Sequence, residues 1–390
     1  MELLLFLAAI FLFTFVVGHL LERFRLPWIF AALLLGVILA VRNPFLEATG
    51  SETFSFLAHL GMYFLLFMVG FEIDLAKIRA QSRFYFSATF FIILLEGAFG
   101  SVLIRYFFGT EWLISVLVAL SFATVGEAIL VPILKEFRAD RSSVGYSIIN
   151  IGFLDNIIEV LLLVAVCFMV GVQSGSTFAG LGFQVSALVV LFVMAYGLTL
   201  LGVEGRKFKV HGIETVFLFA MFIFFLFLGV GSFALAMPIA AVLAGVALKN
   251  FLPSSRLGYI ESEIRTMAFG FFAPIFFVWI GLSADIPYLM TVPWLVLVVF
   301  LVASGSKLLG SLIACRPRFG TKKALLIGLG LSVRMSTSLV VLKILLDSGL
   351  IEAHLYSVLI ASTIVFKFAI PLLFSRLLLR WGVGKPDTLT

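Results

Sequence analysis

The sequence predicts an all-α polytopic membrane protein, a bundle of about thirteen transmembrane helices. Three observations carry that expectation. Hydrophobic residues make up 62% of the 390 positions, charged residues only 12%, and long apolar stretches recur from one end to the other. A soluble domain carries roughly 25% charged residues, and a mean hydropathy of +1.20 leaves too little polar surface to coat a water-soluble fold of this length. A β-barrel would alternate polar and apolar residues along each strand, whereas these stretches are apolar all round.

A helix needs about 20 apolar residues to cross the hydrocarbon, and the chain can be divided on that basis. Met1 to Leu21 is apolar from the third residue, is followed by basic residues and has no small-residue cleavage site, so it reads as a retained first span rather than a signal peptide. The first six spans run Leu3–Leu21, Trp28–Val41, Phe54–Phe71, Phe84–Phe108, Trp112–Leu134 and Val144–Val170. Leu181–Val203 is the seventh. Val216–Val230, Phe233–Leu248, Met267–Leu282, Val292–Ala314, Leu325–Leu346 and Leu355–Leu379 complete the set, and residues 380–390 form a short tail. The whole chain is one membrane domain.

The basic residues orient it. Of the 27 lysines and arginines, 21 fall in the tail or in the loops after spans 1, 3, 5, 7, 9 and 11, while the opposite loops hold only Arg42 and Arg105. Basic loops stay on the cytoplasmic side, which puts the N-terminus outside and the C-terminus in the cytoplasm. The same placement accounts for the net charge of +6 without a nucleic-acid partner. Cys167 and Cys315 form neither a metal-ligand spacing nor a disulfide framework.

Four basic residues remain inside spans, Lys307, Arg334, Lys343 and Lys367, facing the deep acids Glu96, Glu127, Asp155 and Glu159. A charge at the bilayer centre costs about 2.5–3.5 kcal/mol on insertion scales, so each marks a candidate functional position. Lys343, four residues before Asp347, is better explained as a local ion pair. His19 beside Glu22 reads as structural, and His59, His211 and His354 show no ligand spacing. Glu72 and Asp74, where span 3 meets a basic loop, read as solvated or interfacial.

Spans 5 and 12 are chemically odd in matching ways. Span 5 contains "FATVGEAILVP", with Thr124, Gly126, Glu127 and Pro132; span 12 contains "GLSVRMSTSLVV", with Arg334 among Ser332, Ser336, Thr337 and Ser338. Glycine, proline and hydroxyl residues in mid-span suit helices that break and re-satisfy the freed backbone internally. Small residues packed between helices would explain either span alone. Seven spans apart, the two cross in opposite directions, which implies inverted repeats over residues 3–170 and 216–379 joined by a linker helix at 181–203. Paired breaks in such repeats point to a transporter's midplane site.

Span 6 adds "GFLDNIIEV". Asp155 and Glu159 are i,i+4 neighbours and Asn156 and Glu159 i,i+3, so acid, amide and acid share one side of the helix. Lys307, just before the second break, is the expected partner of Asp155, either as a switchable partner competing with a cation or as a structural brace.

These features resemble the monovalent cation:proton antiporter-2 superfamily, the bacterial sodium–proton antiporters and their potassium-efflux relatives. The likeness rests on "FLLFMVGFEIDL" ending span 3, "ATVGEA" in span 5, "GFLDNIIE" in span 6, "SKLLGSL" around Lys307 and "LGLSVRMSTSLVV" in span 12. It covers the whole chain and implies a scaffold-and-core fold with two crossed discontinuous helices, an elevator-like movement of the core, a homodimer and a bacterial or archaeal inner-membrane setting. On the resemblance, Asp155 matches the first of two adjacent polar residues in the ion-binding helix, Lys307 its basic partner, Thr124 the first break and Arg334 the second. Asp155, Asn156 and Thr124 are then the monovalent cation and proton site, supported by Lys307, Arg334, Glu127 and Glu159. No cofactor is implied beyond the transported cation and protons, and a separate regulatory subunit is compatible with the family.

Asn156 departs from the family pattern, in which the second polar residue is a carrying aspartate; the acid usual shortly after Arg334 is also replaced, by Ser336 and Thr337. Three readings follow. The carrying acid has moved to Asp155, Glu159 or Glu127; or Asp155 itself occupies the carrier position; or the fold serves as a sensor, an uncoupled ion pathway or a carrier of another solute. Exchange of Na+ or K+ for protons is the favoured function. A channel would need rings of like residues or a filter motif, and an enzyme a nucleophile–base pair or metal cluster; neither pattern occurs in the sequence.

Overall fold

The computed structural model describes residues 2–23, 26–74, 81–125, 131, 134–135, 137, 139–173, 178–204, 213–233, 236–252, 254–334 and 336–381. Gly126, Glu127 and Pro132, the loop cations Arg25, Lys77, Arg79, Arg138, Arg206, Lys207 and Lys209, and the tail with Lys385 lie outside them. The described elements are all helical. Eight helices are long and apolar enough to cross a membrane, joined by shorter apolar helices such as Phe30–Val41, Trp112–Phe122 and Met237–Phe251.

In chain order the helices are α1 Glu2–Arg23, α2 Phe30–Val41, α3 Leu46–Thr49, α4 Glu52–Glu72, α5 Arg83–Phe108 and α6 Trp112–Phe122. They continue with α7 Ser143–Gln173, α8 Phe178–Glu204, α9 Ile213–Ser232, α10 Met237–Phe251 and α11 Ser254–Arg265. Then come α12 Ala273–Leu282, α13 Ile286–Thr291, α14 Pro293–Leu331, α15 Ser336–Asp347 and α16 Ala353–Trp381. Local chemistry marks several ends. Ser51 caps α4 by accepting the Phe54 N–H at 3.2 Å, and Asp285 caps α13 by accepting the Tyr288 N–H at 3.0 Å.

Two segments run longer than their apolar stretches. The tenth span is one continuous rod from Ser254, passing through a wider-wound turn at Thr266–Phe272 before α12. The basic segment after span 11 is helical up to Gly320, whose φ of +79° lets α14 turn back on itself. Its two arms then pack antiparallel, with the Ser311 hydroxyl donating to the Ala324 carbonyl at 2.6 Å. Arg316 and Arg318 sit exposed on that helical end, so their charges need no loop to reach water.

The chain forms two compact units. The first comprises Met1–Gly18, Ile29–Leu75 and Leu163–Leu282. Its interior is built on phenylalanines: the Phe64 ring stacks on Phe224 at 4.3 Å and on Phe272 at 4.6 Å. Backbones approach closely where α4 crosses α10. A Cβ on Gly70 would lie 2.0 Å from the Val242 carbonyl oxygen, and one on Gly245 2.1 Å from that of Phe67, a small-residue crossing of the kind that packs membrane helices. Glu72 ends α4 half-buried, 3.0 Å from Arg265, which also meets Glu261 at 3.0 Å. This residue, expected to be solvated or interfacial, is an ion-pair partner.

The second unit comprises His19–Trp28, Ala76–Leu162 and Ser283–Thr390. It brings α5, α6, the first part of α7 and α13 to α16 together, and so holds both broken spans and nearly all the deep charges.

Candidate ion-binding site

The first break is local. Helix α6 stops at Phe122, and Ala123 to Val125 are non-helical, so backbone groups that would bond along a helix need other partners. Side chains from three other helical segments supply them. Arg334 donates to the Phe122 carbonyl. Lys307 of α14 donates to the Ala123 carbonyl at 2.5 Å. Asp155 of α7 accepts the Val125 N–H through Oδ2 at 2.5 Å.

The second break follows α14, with Ser332 to Arg334 non-helical before α15. Arg334 is fully buried, and its guanidinium carbon lies 4.6 Å from the ring centres of both Phe122 and Phe366. A planar cation between two aromatic faces gains both packing and electrostatic attraction. Through its hydrogen bond to Phe122, this residue of one break reaches the other: the matched pair read from the sequence meets in space.

Glu96 joins the cations. On α5 and only 3% exposed, it accepts a hydrogen bond from Arg334 through Oε1, and its Oε2 lies 3.2 Å from the Lys307 ammonium. Sequence reading marked Glu96 as a deep acid and gave it no role. The available signal was charge matching, since Lys307 and Arg334 are two in-span cations needing more than one in-span anion.

This arrangement corrects the expected pairing. The direct ionic partner of Lys307 is Glu96, and Asp155 is in no ion pair among the described residues. The reason is geometric: Glu96 enters from α5 between the two cations, while Asp155 is held at the break by a backbone donor. Lys307, Glu96 and Arg334 still act electrostatically on Asp155.

One helical turn beyond Asp155, Glu159 is 1% exposed. Its carboxylate is within hydrogen-bonding reach of Thr124, from the first break, and Thr337, from the start of α15. Its Oε1 has no hydrogen-bond partner. Thr124 is 2% exposed and also donates to the Ser121 carbonyl at 3.3 Å. Asn156, about 100° further round the helix than Asp155, is half-buried. Thus Asp155, Thr124, Glu159, Lys307 and Arg334 come together, Asn156 stands beside them, and Glu127 is outside the described residues. Lys343 pairs with Asp347 at 2.5 Å, as its spacing implied.

A family model described as the transmembrane sodium/hydrogen exchanger matches residues 7–380. The chain belongs to that family. Among similar sodium/hydrogen exchangers is the probable Na(+)/H(+) antiporter 3 of Methanocaldococcus jannaschii, 26% identical over 369 residues and covering 93% of each chain. The Na(+)/H(+)-K(+) antiporter GerN of Bacillus cereus is 24% identical over 377 residues, 94% of this chain and 93% of the relative. In fold, the chain is similar to the sodium proton antiporter MjNhaP1 of M. jannaschii, with a TM-score of 0.63 over 98% of this chain and 99% of that one at 18% identity. This sodium/hydrogen exchanger is therefore an integral membrane transporter of the antiporter type.

Proposed function

We propose that the protein exchanges a monovalent cation, Na+ or K+, for protons by elevator-type alternating access, with Asp155, Thr124 and Asn156 as the site. The observation that carries this reading is the state of Asp155. Its carboxylate is buried at a helix break, held by one backbone N–H and without a direct ionic partner among the described residues. A desolvated carboxylate in that position gains from binding either a proton or a dehydrated cation, and competition for one site couples the two movements. Names of relatives support both ions, since GerN is an antiporter of sodium, protons and potassium. The inverted repeats, the homodimer and the orientation with N-terminus outside belong to the same reading.

The test is flux in proteoliposomes carrying the full chain, with a Na+ or K+ gradient and a pH-sensitive dye inside. Asp155→Asn should abolish cation-driven proton movement while monodispersity and thermal stability are kept. Full flux in a well-folded variant would remove Asp155 from the mechanism. No flux in the wild type with either cation would favour the fold in another use, as a sensor or a carrier of a different solute.

A further inference from the structure

We propose that Glu159 is the acid whose proton is traded for the cation, and that one proton is exchanged per cation so that the cycle moves no net charge. The inference rests on the antiport reading and deepens it by assigning the exchanging group and the stoichiometry.

The first observation is the position of Glu159. It lies between the hydroxyls of both breaks, Thr124 and Thr337, with Asp155 one helical turn away. A 1%-exposed carboxylate with an unpartnered oxygen is costly to bury. Carboxylate and hydroxyl oxygens are hard donors of the kind that take alkali cations, and the unpartnered Oε1 is available to either a proton or such an ion.

The second observation is charge balance, counted over the described residues. Lys307 and Arg334 are two buried cations, and Glu96 and Asp155 two buried anions, linked by the contacts at the breaks. Among other charged residues nearby, Lys343 of α15 is matched by Asp347. Lys367 of α16 has an interaction of its own. The charged groups acting most strongly on Glu159 are Asp155 and Lys307. The four-charge set is therefore neutral before Glu159 is counted. With Glu159 protonated it stays neutral. With Glu159 ionised it carries one negative charge, and a single monovalent cation restores the balance. Uncompensated charge is expensive in a low-dielectric interior, so the two neutral states are proton-on and cation-on. In the exchange, the Glu159 carboxyl gives up its proton on one side and its carboxylate takes the cation in its place.

The experiment reads proton flux and charge displacement on the same proteoliposomes, under Na+ gradients and, in parallel, K+ gradients. The wild type should show cation-driven proton flux without net charge transfer over complete turnovers. Glu159→Gln, close in size and uncharged, should reduce flux to that of empty liposomes, and Glu159→Asp should keep measurable exchange. Wild-type flux accompanied by sustained charge displacement overturns the stoichiometry without needing any variant to fold. An active wild type with undiminished flux in folded Glu159→Gln overturns the assignment and leaves antiport standing. A wild type silent with both cations fails at the antiport reading itself.

Discussion

The Lys307 ammonium lies 3.2 Å from Glu96 Oε2, with both side chains buried. Arg334 donates to the other oxygen of the same carboxylate. One acid on α5 therefore neutralises parts of two cations that brace the first break through its carbonyl groups.

Removing that acid should be costly. Glu96→Gln leaves Lys307 and Arg334 short of an anion, and breaking a buried pair by removing one partner costs about 3–5 kcal/mol. Thermal unfolding in detergent should show a clear drop in midpoint. An unchanged midpoint would mean that the cations are balanced elsewhere.

Lys307→Gln should move the pH profile of exchange to higher pH, because the remaining acids then lose protons beside one fewer positive charge. It also replaces the ammonium at the Ala123 carbonyl, so stability should fall as well. Flux measured across a pH series, together with thermal unfolding, checks both; a wild-type profile and midpoint together would contradict the placement of Lys307.

Asn156→Asp should add a second titratable group beside Asp155. Adjacent carboxylates titrate as a coupled pair, so the variant should keep exchange with a changed proton count and a shifted pH optimum. In charge terms it adds one negative charge to a balanced interior, and exchange should acquire net charge displacement. If flux appears only in this variant and not in the wild type, the native chain is not an antiporter.

Gly70→Ala and Gly245→Ala test packing in the first unit, away from the charges. Each new methyl would meet a backbone carbonyl oxygen, at 2.0 and 2.1 Å, which a rotamer change cannot relieve. Overpacking costs about 1–3 kcal/mol, so both variants should unfold at lower temperature. Because the glycines face each other across one crossing, the double variant should fall short of additivity.

Composition and periodicity were enough for the helical membrane class, because hydropathy and span length are properties of a local stretch that the bilayer reads directly. The two breaks were legible for the same reason: glycine, threonine, serine and a buried arginine in mid-span are local anomalies. So was the shared face of Asp155 and Glu159, which follows from helix pitch alone.

Partnership was not legible in that way. Lys307 could have met Asp155, Glu96, Glu127 or Glu159, since each is an in-span acid and the residue types carry no distances. Helix packing chose Glu96 by bringing α5 against α14, and the loss of helical hydrogen bonds at the first break gave Asp155 a backbone donor instead of a cation. Glu159 likewise gained its place between Thr124 and Thr337 from the approach of segments more than 200 residues apart in the chain. Sequence alone determines which groups the membrane must tolerate; the tertiary structure decides which of them neutralise one another, because Coulomb interactions and hydrogen bonds depend on separation and direction.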